Sequence, residues 1–145
     1  MDGALSFDLH VLTSRLDRAA DRILRDEHDI SYRRFLALYL VTRLDDPTQR
    51  ALAEALGVTE PSVSRMTNVL SDSGYLDTGS DTAHGNRRKL SLTPTGADLV
   101  AQCRELLEHH FTRLVEASGV PYDDYAHNTR LLLRTLGLPG QGGDS

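Results

Sequence analysis

Arg65 and Asn68 are the side chains whose types and spacing most clearly define a chemistry. Residues three apart are neighbours on a helix surface. Arginine can donate two hydrogen bonds to guanine O6 and N7, and asparagine pairs in the same way with adenine. Phased at 100° per residue, Pro61 joins them on one side, with Ser62 and Ser64 on the flanks. Val63, Met66, Thr67 and Leu70 fall on the other side and are expected to face a core. A lone Arg65 reads equally well as a solvated surface residue. The small hydroxyl residues beside it shift the balance, because they let a helix approach a duplex without bulk.

The neighbouring residues set up such a helix. Leu52, Ala55 and Leu56 lie on one face of a short preceding helix. Gly57 is placed to end it, since glycine enters the left-handed conformation common at helix C-termini. Thr59 is expected to cap the next helix through its hydroxyl, and Pro61 sits in the first turn, where no N–H is needed. Two helices joined by a tight glycine turn make a helix-turn-helix, whose second helix enters the major groove of DNA. Gly74 breaks that helix, and Tyr75 to Ser80 and Arg87 to Leu92 read as two strands around the polar turn 81–86. Alternation points Leu90 and Leu92 inward and Arg87, Lys89 and Ser91 outward. Arg87, Arg88 and Lys89 in succession make this a basic wing able to meet phosphates or a minor groove, rather than a bare structural hairpin.

The 145 residues suffice for one domain with a core. The net charge of −5 runs against nucleic-acid binding until it is divided along the chain. Residues 1–46 hold 7 bases and 9 acids, and residues 97–145 hold 4 and 7. Residues 47–96 hold 5 of each, with three of the bases in the wing. Local clusters, not the chain total, neutralise phosphates. The single cysteine excludes an intrachain disulfide and a cysteine-rich zinc site. The opening MDGALSFD lacks a signal-peptide pattern and no apolar run reaches a membrane span, so a cytoplasmic protein is expected.

Both flanks read as helical. Leu5, Leu9, Leu12, Leu16, Ala19 and Ile23 form a stripe, and Ser31 caps a helix carrying Phe35, Leu38, Leu40 and Val41. Thr93 caps a long helix with Pro94 first, along which Leu99, Cys103, Leu106, His110 and Leu114 repeat, widened by Val100, Leu107 and Phe111. A last helix carries Tyr122, Tyr125, Leu132 and Leu136. These faces exceed what a small module buries by itself, so a homodimer interface through Leu5, Leu9, Leu12, Leu16, Leu106, Leu114 and Leu132 is expected. Burial within one subunit is the plainer alternative.

In ordered succession, ISYRRFLALYLV, TQRALAEALGVTEPSVSRMTNVL, the glycine before the wing and the closing LTPTG resemble the MarR (multiple antibiotic resistance regulator) family over about residues 5–137. The resemblance implies a mainly α fold of about six helices with a small β-hairpin wing, dimerised through its N- and C-terminal helices. It divides the single unit 1–145 into a helical dimerisation region (1–30 and 94–137), a winged helix-turn-helix region (31–93) and a tail (138–145). It implies that Ser62, Ser64 and Arg65 contact DNA, and Thr59, Pro61, Asn68, Arg87, Arg88 and Lys89 complete the expected interface. The family's wing carries Asp-x-Arg ahead of its second strand, where this chain has His84 and Asn86. Either Arg87 or Arg88 is left to enter the minor groove, with Arg87 favoured by alternation.

The function expected is a sequence-specific double-stranded DNA-binding transcription regulator, a homodimeric repressor of a pseudo-palindromic operator released by a small effector. The alternative is a winged-helix protein-interaction module that does not read DNA, for which the placement of Arg65 and the basic wing has no use. No enzyme, cofactor or metal is expected. Adjacent His109 and His110 diverge by about 100° on a helix and share a metal only if His10 or His28 folds close. Cys103 on the apolar stripe reads as an inert thiol, and no catalytic triad or phosphate-loop pattern occurs. The residues that would bind an effector are not legible.

Overall fold

The computed structural model describes residues 3–79 and 89–137. Six helices and one small hairpin follow in the order α1 (Leu5–His28), α2 (Tyr32–Arg43), α3 (Gln49–Leu56), α4 (Glu60–Asp72), β1 (Leu76–Asp77), β2 (Ser91–Leu92), α5 (Pro94–Ser118) and α6 (Tyr122–Leu136). This is the mainly α, winged helix-turn-helix architecture expected from the sequence.

The helix ends form where their residue types place them. Ser31 Oγ accepts from the Arg34 amide at 3.2 Å, Thr48 Oγ1 from Ala51 at 3.1 Å, and Thr93 Oγ1 from Gly96 at 3.0 Å. Each hydroxyl satisfies one of the amides that a helix start leaves without a partner. The core is built from Leu24 of α1, Phe35, Leu38 and Val41 of α2, Leu52 and Ala53 of α3, Val63 and Leu70 of α4, Leu76 and Leu90 of the hairpin, and Leu99, Val100 and Cys103 of α5. In α3 it is Ala53, not the expected Ala55, that is fully buried beside Leu52, because this short helix packs against both α2 and α4. In α5 the expected stripe holds as far as Cys103. Beyond it Leu106 is half-buried, His110 and Leu114 are exposed, and Val115 is buried instead.

Among the described residues, the pairing between the two strands is shorter than expected. Leu76 pairs with Leu92 and Asp77 with Ser91, antiparallel. Gly79, at φ +56°, donates its amide to the Asp77 carboxylate at 2.9 Å. That side-chain turn bends the chain directly after β1 and ends the ladder. On the returning strand Lys89 pairs with Thr48 instead, and the Leu90 amide donates to the Pro47 carbonyl at 2.8 Å. The returning strand therefore lies between β1 and the entry to α3. Leu90 is fully buried and Leu92 half-buried, while Lys89 is exposed. Arg87, Arg88 and the rest of the wing tip lie outside the described residues.

Asp21 ties α1 to α2. Its carboxylate accepts from the Tyr32 amide at 3.0 Å and from Arg25 Nε at 2.8 Å. The Tyr32 amide first, and then Arg25, hold its pKa below the ordinary aspartate value. A carboxylate with a depressed folded pKa adds stability above its unfolded pKa of about 3.9 and loses it as pH falls through the folded value. Asp21→Asn should therefore melt below the unmodified chain at pH 7, and the gap should close as pH drops below about 4. Melting curves at both pH values decide this, and a gap independent of pH would contradict it.

Candidate nucleic-acid interface

The proposed reading helix is α4, and its seating begins in α3. Gly57 closes α3 in the left-handed conformation, at φ +69°. The Val58 amide returns to the Ala53 carbonyl at 3.1 Å, which turns the chain toward α4. Thr59 then caps α4, its Oγ1 accepting from the Ser62 amide at 3.3 Å, and Pro61 occupies the first turn.

Val63, Thr67 and Leu70 are buried beneath α4 and Met66 is half-buried, as its phase predicts. Thr67 is the one polar side chain that is fully buried among the described residues. Its hydroxyl accepts from Gln49 Nε2 and donates to the Ser64 carbonyl, both at 3.1 Å. A buried hydroxyl left without partners would be costly, so this pair of bonds fixes α4 against α3 in rotation and along its axis.

The opposite side of α4 carries Pro61, Arg65 and Asn68, all exposed, with Ser62 and Ser64 half-buried beside them. Neither Arg65 nor Asn68 makes a hydrogen bond or ion pair with another described side chain; the ion pairs found are Arg25–Asp21 and Arg50–Glu54. Among the described residues nothing holds either side chain back from a base edge. Lys89 stands exposed at the root of the wing, bonded through its backbone to Thr48 at the cap of α3. Thr59, Pro61, Ser62, Ser64, Arg65 and Asn68 thus share one helix and its cap, with Lys89 on the adjoining strand.

Sequence reasoning missed the positioning roles of Thr48 and Gln49. A threonine followed by glutamine at a helix start signals a cap, but the bonds to Lys89 and Thr67 join residues far apart in sequence.

The structure also contains a cavity of about 600 Å³ between α1, α2 and α5. Leu16, Ile23, Phe35 and Phe111 supply apolar walls, and Asp17, Tyr32, Tyr39 and Arg104 supply polar groups. The Arg104 guanidinium lies 5.1 Å from the centre of the Tyr39 ring, a cation–π arrangement. Burial raises the pKa of Asp17 and, with the added charge of Asp17, that of Tyr32. Nothing in the sequence reveals this cavity, because it exists only once three helices pack. Cys103 is fully buried, and desolvation pushes its thiol up to about 11. His109 and His110 sit edge to face, ring centres 5.9 Å apart, and no group of three or more potential ligands able to hold a metal occurs among the described residues.

A helix-turn-helix followed by a hairpin whose returning strand is bonded to the base of the first helix defines a winged helix-turn-helix protein. The sequence model of the MarR family matches residues 28–86. The HTH-type transcriptional regulator PetP of Rhodobacter capsulatus is 34% identical over 99 residues, which span 68% of this chain and 59% of that protein. The fold is similar to apo MarR from E. coli, with a TM-score of 0.79 and 21% identity over 94% of this chain and 100% of the other. It is also similar to S. aureus MepR in its DNA complex, with a TM-score of 0.72 and 23% identity over 93% and 97% of the two chains. The chain is similar to the MarR family over residues 28–86, and the matches together support a MarR-family regulator.

Proposed function

We propose that this chain is a homodimeric transcription regulator that binds double-stranded DNA in a sequence-specific manner. The carrying observation is the outward face of α4, where exposed Arg65 and Asn68 stand on a helix fixed from beneath by Thr67 and Gln49. The likeness to a named transcriptional regulator and to a DNA-bound structure supports the same reading. Two copies would set two such helices into successive major grooves of a pseudo-palindromic operator, about one helical turn apart. The wing, with Arg87, Arg88 and Lys89, would add phosphate or minor-groove contacts. The protein-interaction alternative explains neither the exposed Arg65 nor its small flanking residues.

Repression relieved by a small ligand is the regulatory mode we favour. The cavity between α1, α2 and α5 has the size of known ligand pockets, mostly apolar walls and a few convergent polar groups. It touches the long helices of the proposed interface and α2, which packs directly on α3. Such a role would be carried out in the cytoplasm.

The test begins with selection of duplexes from a random pool by the unmodified protein. Arg65→Ala should then weaken binding to the selected duplex by about 1–3 kcal/mol and relax preference at one base pair per half-site. Melting should stay close to that of the unmodified chain, because Arg65 is exposed. Affinity and base preference both unchanged would remove Arg65 from the interface.

A further inference from the structure

The strongly exposed large hydrophobic side chains among the described residues lie on α1, on the outer half of α5, in the α5–α6 turn and on α6, with one exception. That exception is Val69, 40% exposed on α4. We propose that Val69 is a base-reading residue whose isopropyl group packs against the 5-methyl of a thymine, beside the base met by Arg65. The inference rests on the DNA-reading function proposed above and names one chemical feature that the site would read.

The helix phase supports it. At 100° per residue Val69 stands about 40° from Arg65 and about 20° from Ser62. The rise of 1.5 Å per residue places Val69 about 6 Å beyond Arg65 and about 10 Å beyond Ser62. Bases along a strand repeat every 3.4 Å or so, and the three side chains therefore span about three base steps. The large apolar group that major-groove edges present is the thymine methyl.

Val69 is also only partly covered by its own chain. A β-branched residue loses χ1 freedom in a helix, and this one leaves two-fifths of its surface in water. The last turn around it is already satisfied, because the Val69 carbonyl accepts from both the Ser73 amide at 3.0 Å and the Ser73 hydroxyl at 2.9 Å. Contact with a methyl removes both apolar surfaces from water.

The experiment takes a duplex selected by the unmodified protein and replaces each thymine in turn with deoxyuridine, which deletes only the methyl. One position per half-site should lose affinity by roughly fourfold, the equivalent of about 0.8 kcal/mol for one buried carbon. Val69→Ala should bind the thymine duplex about as weakly as the unmodified protein binds the uridine one. It should be indifferent to that uridine while keeping its preference at the base read by Arg65. A uridine penalty of equal size in both proteins, or none at any position, overturns the assignment. A pool that yields no bound duplex overturns the DNA-reading function itself, and this inference with it.

Discussion

Gly96→Ala should destabilise the chain by about 3 kcal/mol, at the upper end of typical overpacking costs, and lower its melting temperature by roughly 10 °C. A Cβ built at Gly96 would lie 2.0 Å from the Tyr75 carbonyl oxygen, 2.8 Å from the carbonyl carbon and 3.1 Å from the Cα. All three are backbone atoms, which cannot swing aside as a side chain can. Gly96 lies in the first turn of α5 with ordinary helical geometry, so left-handed strain has no part in this. Alanine by itself favours a helix by up to about 1 kcal/mol over glycine, so the sign rests on the clash alone. Relieving it means moving α5 away from the hairpin. That motion breaks the bond from the Thr93 amide to the Tyr75 carbonyl at 3.1 Å and the bond from the Thr93 hydroxyl to the Gly74 carbonyl at 2.6 Å. Gly74 is the control. Nothing stands within 4 Å of a Cβ there, and alanine would meet only the strain of φ +83°, about 1–2 kcal/mol. A Gly96→Ala chain that melts with the unmodified one would show that this junction gives more readily than the geometry implies.

Leu12→Asp and Leu132→Asp should each turn the proposed dimer into a monomer that remains folded. In the single chain Leu12 is 37% and Leu132 60% exposed, so a carboxylate at either position can reach water. Within a dimer the same carboxylate would be buried without a partner. Central interface positions typically lose 2 kcal/mol or more on disruption, and two-fold symmetry counts each substitution twice. The dimer dissociation constant should rise by about a thousandfold or more, since about 4 kcal/mol is three powers of ten. α6 makes the strongest case. It buries no residue in its own chain, and Leu131, Leu132 and Leu133 are all exposed on three successive directions 100° apart. An apolar arc that wide calls for partners on more than one side. Sedimentation at micromolar concentration reads the outcome. A clean monomer of 16.0 kDa for the unmodified protein, still bound tightly to its duplex, would defeat the dimeric mode of reading.

Local chemistry made much of this molecule legible before any coordinates. Gly57, Thr59 and Thr93 act at helix ends as their residue types require, and the phase of α4 separates buried Val63, Thr67 and Leu70 from exposed Arg65 and Asn68. Features set by distant backbone were not legible. The Thr48–Lys89 pairing and the Leu90–Pro47 bond involve no side-chain pattern, and alternation alone extended the first strand beyond Asp77. Gly96 was visible as part of LTPTG, but its reason is the approach of Tyr75, twenty-one residues earlier. In α5 a single stripe was projected along the whole helix. Its far half packs beside α1 and α6 rather than in the central core, and Val115 rather than His110 or Leu114 faces inward there.

Cys103 makes this chain its own clock for core opening. The only thiol in the sequence is sealed at the centre of the fold, and burial pushes its pKa up to about 11, so that it stays protonated at pH 7. Once α5 lifts, the same thiol returns to an ordinary pKa near 8.5, where a few per cent is thiolate and reagents reach it. The speed at which a thiol reagent labels the protein therefore counts openings at one known address, without an introduced probe. Any small molecule that tightens the packing of α1, α2 and α5 will slow that count, whether or not DNA is present.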